Sequence, residues 1–127
     1  MNENRLSDYL DHMQQAAMDA CSFIDGLGKA DFLDDKRTQQ AVIMSLIIIG
    51  EASTNVMDDY ALFTQAHPEV PWRSMRGMRN RIAHGYFDIN LDVVWETVLA
   101  ALPELLKQLP TVRLDADQDK QAGSTPC

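Results

Sequence analysis

The chain has 127 residues, is 46% hydrophobic, and carries a net charge of −8 from 11 basic and 19 acidic side chains. That length makes one domain with a real core, and so acidic a balance excludes delocalised coating of a DNA backbone. Cys21 and Cys127 are too far apart for a zinc ribbon or a redox pair, and two cysteines do not make a disulfide scaffold. The N-terminal stretch MNENRLSDYLDHMQQ is acidic where a signal peptide needs a basic flank and an apolar run. The longest strongly apolar run, Val42 to Ile49, is far short of the ~20 residues that span a bilayer. The expectation is a cytoplasmic protein with no membrane segment.

Residues 5–27 repeat apolar side chains in steps of three and four: Leu6, Leu10, Met13, Ala17, Ala20, Phe23 or Ile24, and Leu27. This predicts an amphipathic helix, with Gly26 and Gly28 as its stop. Asp31 or Asp34 then caps a second helix over about 35–57. That segment starts polar and becomes apolar around most of its circumference (Val42, Ile43, Met44, Leu46, Ile47, Ile48, Ile49). One face cannot hold so many, so the helix is central in a bundle or covered on a second side by another subunit. Residues 58–70 read as a turn or short helix ending before Pro68.

Pro71 suits the first turn of a third helix over about 71–84, which Gly85 terminates. Asn90 or Asp92 caps a fourth, with Leu91, Val94, Trp95, Val98, Leu102 and Leu105/Leu106 as its stripe and Pro103 as a kink or break. Residues 111–127 lose periodicity and read as a disordered tail beyond a helical domain of residues 1–110. No alternating strand pattern is present. The predicted fold is all-α: an antiparallel up-and-down four-helix bundle with one extra short helix.

The basic residues are concentrated. Arg73, Arg76, Arg79 and Arg81 fall within nine positions, and no acid lies between Glu69 and Asp88. Against a chain total of −8, residues 70–87 carry +4 and the remainder −12. Solvated helix faces usually mix signs, because opposite charges three or four residues apart attract. A sign-pure block points to an anion from outside the chain, a phosphate or an acidic partner. The competing reading pairs these arginines with acids on other helices of the bundle.

His84 lies in the same block and can give or take a proton near neutrality, although a lone histidine at a helix end also serves as a cap or packing group. Arg79 and His84 stand ~140° apart on an ideal helix, so they do not share a face. Asn80 and His84 do, which lets Asn80 orient the imidazole or bind phosphate. Arg79 reaches the same phosphate only around the helix edge or from a neighbouring subunit. Tyr86 follows the predicted stop, with its hydroxyl reachable. His12 and His67 are too scattered for a metal site, and no zinc-ligand spacing occurs, so neither a metal nor another cofactor is expected.

The run Arg79-Asn80-Arg81-Ile82-Ala83-His84-Gly85-Tyr86 matches the R-x4-H-x-Y motif without a departure. With Ile49-Gly50-Glu51-Ala52, Pro71-Trp72-Arg73 and Trp95-Glu96-Thr97, it resembles the HepT family of HEPN-domain toxins over about residues 4–110. The resemblance implies a helical bundle that forms a homodimer, with the motifs of both copies lining one cleft. It implies a metal-independent ribonuclease with tRNA among its target class, Arg79 and His84 as the catalytic pair, and Arg73, Arg76 and Arg81 as guides for the RNA backbone. It implies a toxin–antitoxin partnership as well. An MntA-like nucleotidyltransferase antitoxin would silence the toxin by moving AMP from ATP onto Tyr86. The alternative is a non-catalytic module in which the same residues only bind a nucleotide or a protein.

Overall fold

The structure is a computed structural model. It describes residues 5–124, apart from the side chains of Tyr86 and of residues 119–124. In chain order the elements are α1 (Leu6–Phe23), α2 (Lys29–Leu33), α3 (Lys36–Asp59), α4 (Ala61–Ala66), α5 (Trp72–His84), a 3-10 turn (Tyr86–Asp88), α6 (Leu91–Glu96), a π-helical turn (Thr97–Ala101) and α7 (Leu102–Ser124). Among the described residues there is no strand. The all-α bundle expected from the periodicity is the fold observed.

The 3-and-4 stripe of α1 is its buried face: Leu6, Leu10, Met13, Ala16, Ala17 and Ala20 all point inward. Of the two candidates at its end, Ile24 is buried and Phe23 exposed. Gly26 takes a positive φ of 81°, a left-handed conformation that costs glycine little, and turns the chain out of the helix. The single turn of α2 then intervenes, which the sequence reading did not anticipate. Asp31 serves that turn, accepting from the Gly28 backbone N–H at 3.3 Å. The cap of α3 is therefore neither Asp31 nor Asp34 but Asp35, which accepts from Thr38 N at 3.2 Å and from Thr38 Oγ1 at 2.6 Å.

The central helix is α3, packed between α1 and α5, while α7 packs against α1. It buries Val42, Leu46, Ile49 and Val56, and also Ser45 and Ser53. Both hydroxyls are satisfied: Ser45 bonds the Ala41 carbonyl at 3.2 Å, and Ser53 donates to the Trp72 carbonyl at 2.8 Å, which ties α3 to the start of α5. By length and composition α3 could cross a membrane, but here it is a core helix flanked on two sides. Of its other large apolar side chains, Met44 and Ile48 are exposed, with Ile43, Ile47 and Met57 partly so.

The expected fourth helix is a composite. The N–H of Leu102 reaches back five residues to the Thr97 carbonyl, so the break expected at Pro103 is a π turn immediately before it. The tail expected to be disordered is corrected for residues 111–124. Helix α7 runs through Pro110 to Ser124, and Leu105, Leu109, Val112 and Ala116 continue its buried stripe. Proline fixes φ near its helical value, so one missing N–H costs less here than abandoning that apolar face. Asp115 and Arg113 anchor the extension, to His67 Nε2 at 3.2 Å and to Asp11 at 3.3 Å. Residues 125–127 lie outside the described residues.

Candidate active site

The arginine block is α5. Met75 and Met78 pack against the core and Trp72 and Ile82 are buried within it, which turns the arginines to the sides and the outer face of the helix. Where α5 crosses α3 the two backbones nearly touch. A Cβ placed on Gly50 would fall almost onto the Cβ of Arg79, 2.8 Å from the Met75 carbonyl oxygen and 3.0 Å from Arg79 Cγ. Only glycine permits this approach.

That approach lays Arg79 along α3. Its Nη1 meets Glu51 Oε1 at 2.5 Å and its Nη2 donates to Thr54 Oγ1 at 3.1 Å. The Thr54 hydroxyl is itself fixed by donating to the Gly50 carbonyl at 2.8 Å. One turn earlier, Arg76 bonds Asp58 at 2.8 Å and contacts Thr54 Oγ1 at 3.4 Å through Nε. The buried Nε of Arg79 finds no partner among the described residues.

The sign-pure block thus resolves into two pairs. Arg76 and Arg79 are matched by Asp58 and Glu51, as the internal-pairing reading holds. Arg73 and Arg81 are exposed and form no ion pair among the described residues. Arg73 borders a hollow with Pro68 and Val70, and Arg81 borders an apolar cavity of about 260 Å3 walled by Met75, Met78, Val93 and Leu102.

His84 is exposed at the C-terminal end of α5. It shares that outer face with Asn80 and Arg73, but no hydrogen bond joins Asn80 to the imidazole. Arg79 on the α3 side and His84 on the outer side confirm the angular separation expected from a helix. Tyr86 begins the 3-10 turn after Gly85. Between α3 and the end of α5, Ile43, Met44, Ile47, Ala83 and Phe87 border a groove of about 540 Å3, with Phe87 85% exposed. Among the described residues no group of three His, Cys, Asp or Glu side chains is placed to hold a metal ion.

Sequence reasoning undervalued α3. Glu51, Thr54 and Asp58 recur at steps of three and four, one polar stripe on a helix otherwise read for its apolar residues. That stripe is what positions Arg76 and Arg79. Elsewhere, titratable groups are shifted for structural reasons. Burial pushes the Cys21 thiol above its usual range. The Thr38 hydroxyl and N–H hold Asp35 below the ordinary carboxylate value. For Glu69, burial acts upward but is outweighed by the hydrogen bond from His67, its own backbone N–H and the charge of the imidazole, and the net shift is downward.

Comparison with known proteins places these residues in a family context. The family profile described as Ribonuclease HepT-like matches residues 13–112. A Thermococcus cleftensis protein named "Probable ribonuclease HepT" is 42% identical over 106 residues, covering 84% of this chain and 94% of its own. "Putative RNase MJ0127" of Methanocaldococcus jannaschii is 34% identical, covering 91% of this chain and 90% of its own. "Putative RNase TTE0752" of Caldanaerobacter subterraneus is 36% identical, with 82% and 90% covered. No solved structure matches.

Proposed function

The chain belongs to the HepT-like ribonuclease family, and from that premise we propose that it is an RNA-cleaving toxin whose reaction is carried by Arg79 and His84. The observation that carries this is the family match across residues 13–112, which spans the whole R-x4-H-x-Y run at the end of α5 and the turn after it. RNA supplies its own nucleophile, the 2′-hydroxyl. The protein has only to hold the phosphate, move protons and stabilise the added negative charge.

Arg79 is suited to the charge role because Glu51 and Thr54 fix its guanidinium before substrate arrives, each occupying one of its terminal nitrogens. His84, exposed at the helix end, is suited to proton transfer, a contribution of ~10²–10⁴-fold in rate. One imidazole serves poorly as base and acid together. The exposed side of α3 at Ile43, Met44, Ile47 and Ile48, continued by Phe87, is the face that would join two copies and bring a second motif to the cleft. Asn80, Arg73 and Arg81 then face the RNA backbone, with Arg76 held against Asp58 behind them.

Regulation follows from Tyr86, two residues beyond His84. An MntA-like nucleotidyltransferase would direct the phenol oxygen onto the α-phosphate of ATP, releasing pyrophosphate and leaving AMP esterified beside the catalytic pair. The added phosphodiester charge and bulk would repel and exclude RNA. The compartment is the cytoplasm, where both RNA and ATP are met.

A second reading is favoured by the Glu51–Arg79 ion pair: a module in which Arg79 is a structural tie and the site only binds. Induced expression separates the two. The ribonuclease reading expects growth arrest with loss of RNA, tRNA included, and relief by either His84→Ala or Arg79→Ala. Unchanged growth and intact RNA with wild-type protein would leave the binding module. After co-expression with the transferase, intact mass should show adenylate on wild type and none on Tyr86→Phe. Light scattering at micromolar concentration should give the mass of a dimer.

A further inference from the structure

The polar partner of Arg79 has a second side. Between α1 and α3 lies a cavity of about 290 Å3 bounded by Arg5, Tyr9, His12 and Asn55, with Ile48 as an apolar wall and Glu51 at its border. Glu51 is the carboxylate that grips Arg79. One residue therefore belongs both to this cavity and to the immediate surroundings of the reactive guanidinium.

The lining is that of a site for a flat, polar-edged ring. Tyr9 and Arg5 line it together, with the Arg5 guanidinium lying over the Tyr9 ring at 5.5 Å, so that the wall carries a stacked guanidinium–aromatic pair. The ring is fixed in advance: Tyr60 meets it edge-on at 6.5 Å, and the Tyr60 hydroxyl accepts from the Arg5 backbone N–H at 2.9 Å. Asn55, on the α3 side, presents a donor and an acceptor together, and neither it nor His12 makes a hydrogen bond among the described residues. Unpaired bases of RNA are recognised in this manner, by stacking on aromatic, histidine or guanidinium planes and by hydrogen bonds to their edges. Arg5 and His12 add cationic or polar contacts suited to the flanking phosphate.

We propose that this cavity receives one nucleobase of a single-stranded RNA next to the scissile phosphate, and that it sets which nucleotide borders the cut. The proposal rests on the ribonuclease reading and adds to it a specificity subsite on α1, outside the R-x4-H-x-Y run. Ile48 at the cavity wall places the subsite beside the exposed face of α3, so a base held there would lie at the edge of a cleft formed by two copies.

The test uses the full-length protein and single-stranded RNA oligonucleotides of one length, in which each nucleotide flanking the cut is varied in turn. Wild type should prefer one base at a fixed position. Asn55→Ala and His12→Ala, changes at a partly exposed and an exposed side chain, should each flatten that preference and raise KM roughly 5- to 20-fold, more than they lower kcat. Tyr9→Phe keeps the ring and should retain the preference, whereas Tyr9→Leu should lose it. Unchanged KM and cut-site pattern in Asn55→Ala and His12→Ala, with wild type cleaving normally, overturns the subsite and leaves the ribonuclease reading standing. A wild-type protein that neither binds nor cuts any of these RNAs overturns both.

Discussion

Replacing Gly50 with alanine adds one methyl group at the point where α3 and α5 are closest. The new Cβ would overlap Arg79 Cβ and stand 2.8 Å from the Met75 carbonyl oxygen. Neither atom is the free end of a flexible side chain, so α5 itself has to move by about 1 Å to restore ordinary contact at roughly 3.5–4.0 Å. Two effects oppose each other. Alanine favours the helical state of α3 by about 0.5–1 kcal/mol over glycine, and overpacking costs about 1–3 kcal/mol. The net expectation is a loss of about 1–2 kcal/mol, or a Tm lower by roughly 4–8 °C for a domain of this size.

Function should suffer more than stability. A shift of that size carries the 3.1 Å bond between Arg79 and Thr54 beyond hydrogen-bonding range and loosens the grip of Glu51. Misplacement of about 1 Å is enough for a loss on the order of 10²-fold in rate. Thermal unfolding and initial rates of RNA cleavage, measured on the same preparation at a temperature where both proteins are folded, provide the check. A Gly50→Ala protein as stable and as active as wild type would refute the claim that this contact positions Arg79.

Other consequences follow from named contacts. Glu51→Gln keeps the shape of the Arg79 partner but removes its charge; if Glu51 acts by positioning, RNA cleavage should fall about 10-fold or less, whereas Arg79→Ala should fall by roughly 10²–10³-fold, as loss of a transition-state donor does. A comparable loss in the two variants would contradict a mere positioning role. Deleting residues 111–127 strips Val112 and Ala116 from the core and Asp115 from His67, and should cost about 3–5 kcal/mol, seen as a lower urea midpoint; an unshifted midpoint would show that the end of α7 is dispensable. The Asp35 carboxylate, bonded by the Thr38 hydroxyl and N–H, has its pKa lowered below 3.8 in the folded chain. Its contribution is therefore complete above the ordinary carboxylate range and is lost as pH falls through the lowered value. Asp35→Asn should unfold with a shallower dependence on pH in that acid window, and an identical acid limb would exclude the linkage.

How much was legible in the chain can be followed residue by residue. The stripe from Leu6 to Ala20 announces α1 because burial on one face imposes the helical period, and the motif runs along α5 from Arg79 to His84, with Tyr86 just beyond the stop at Gly85. The end of α7 was also written in the sequence, since Leu102, Leu105, Leu109, Val112 and Ala116 keep steps of three and four. Pro110 obscured it: a residue that breaks helices by local preference is tolerated where the apolar face on both sides of it is buried. The choice among Asp31, Asp34 and Asp35 as the cap of α3 was not legible, because all three can cap and only the path of the chain through α2 selects one.

By itself the sequence determined the helical class, the acidic balance, the concentration of arginine on one segment and the family to which the chain belongs. These are properties of residue type and of separation along the chain. Only the tertiary structure decided which arginines of α5 pair with acids of α3. Glu51, Thr54 and Asp58 lie 18 to 28 residues before their partners, and nothing local specifies those pairs. They exist because Gly50 lets two helices approach until a guanidinium from one lies within reach of a carboxylate from the other. Electrostatic partnership at that range is a matter of distance in space, which a linear pattern does not contain.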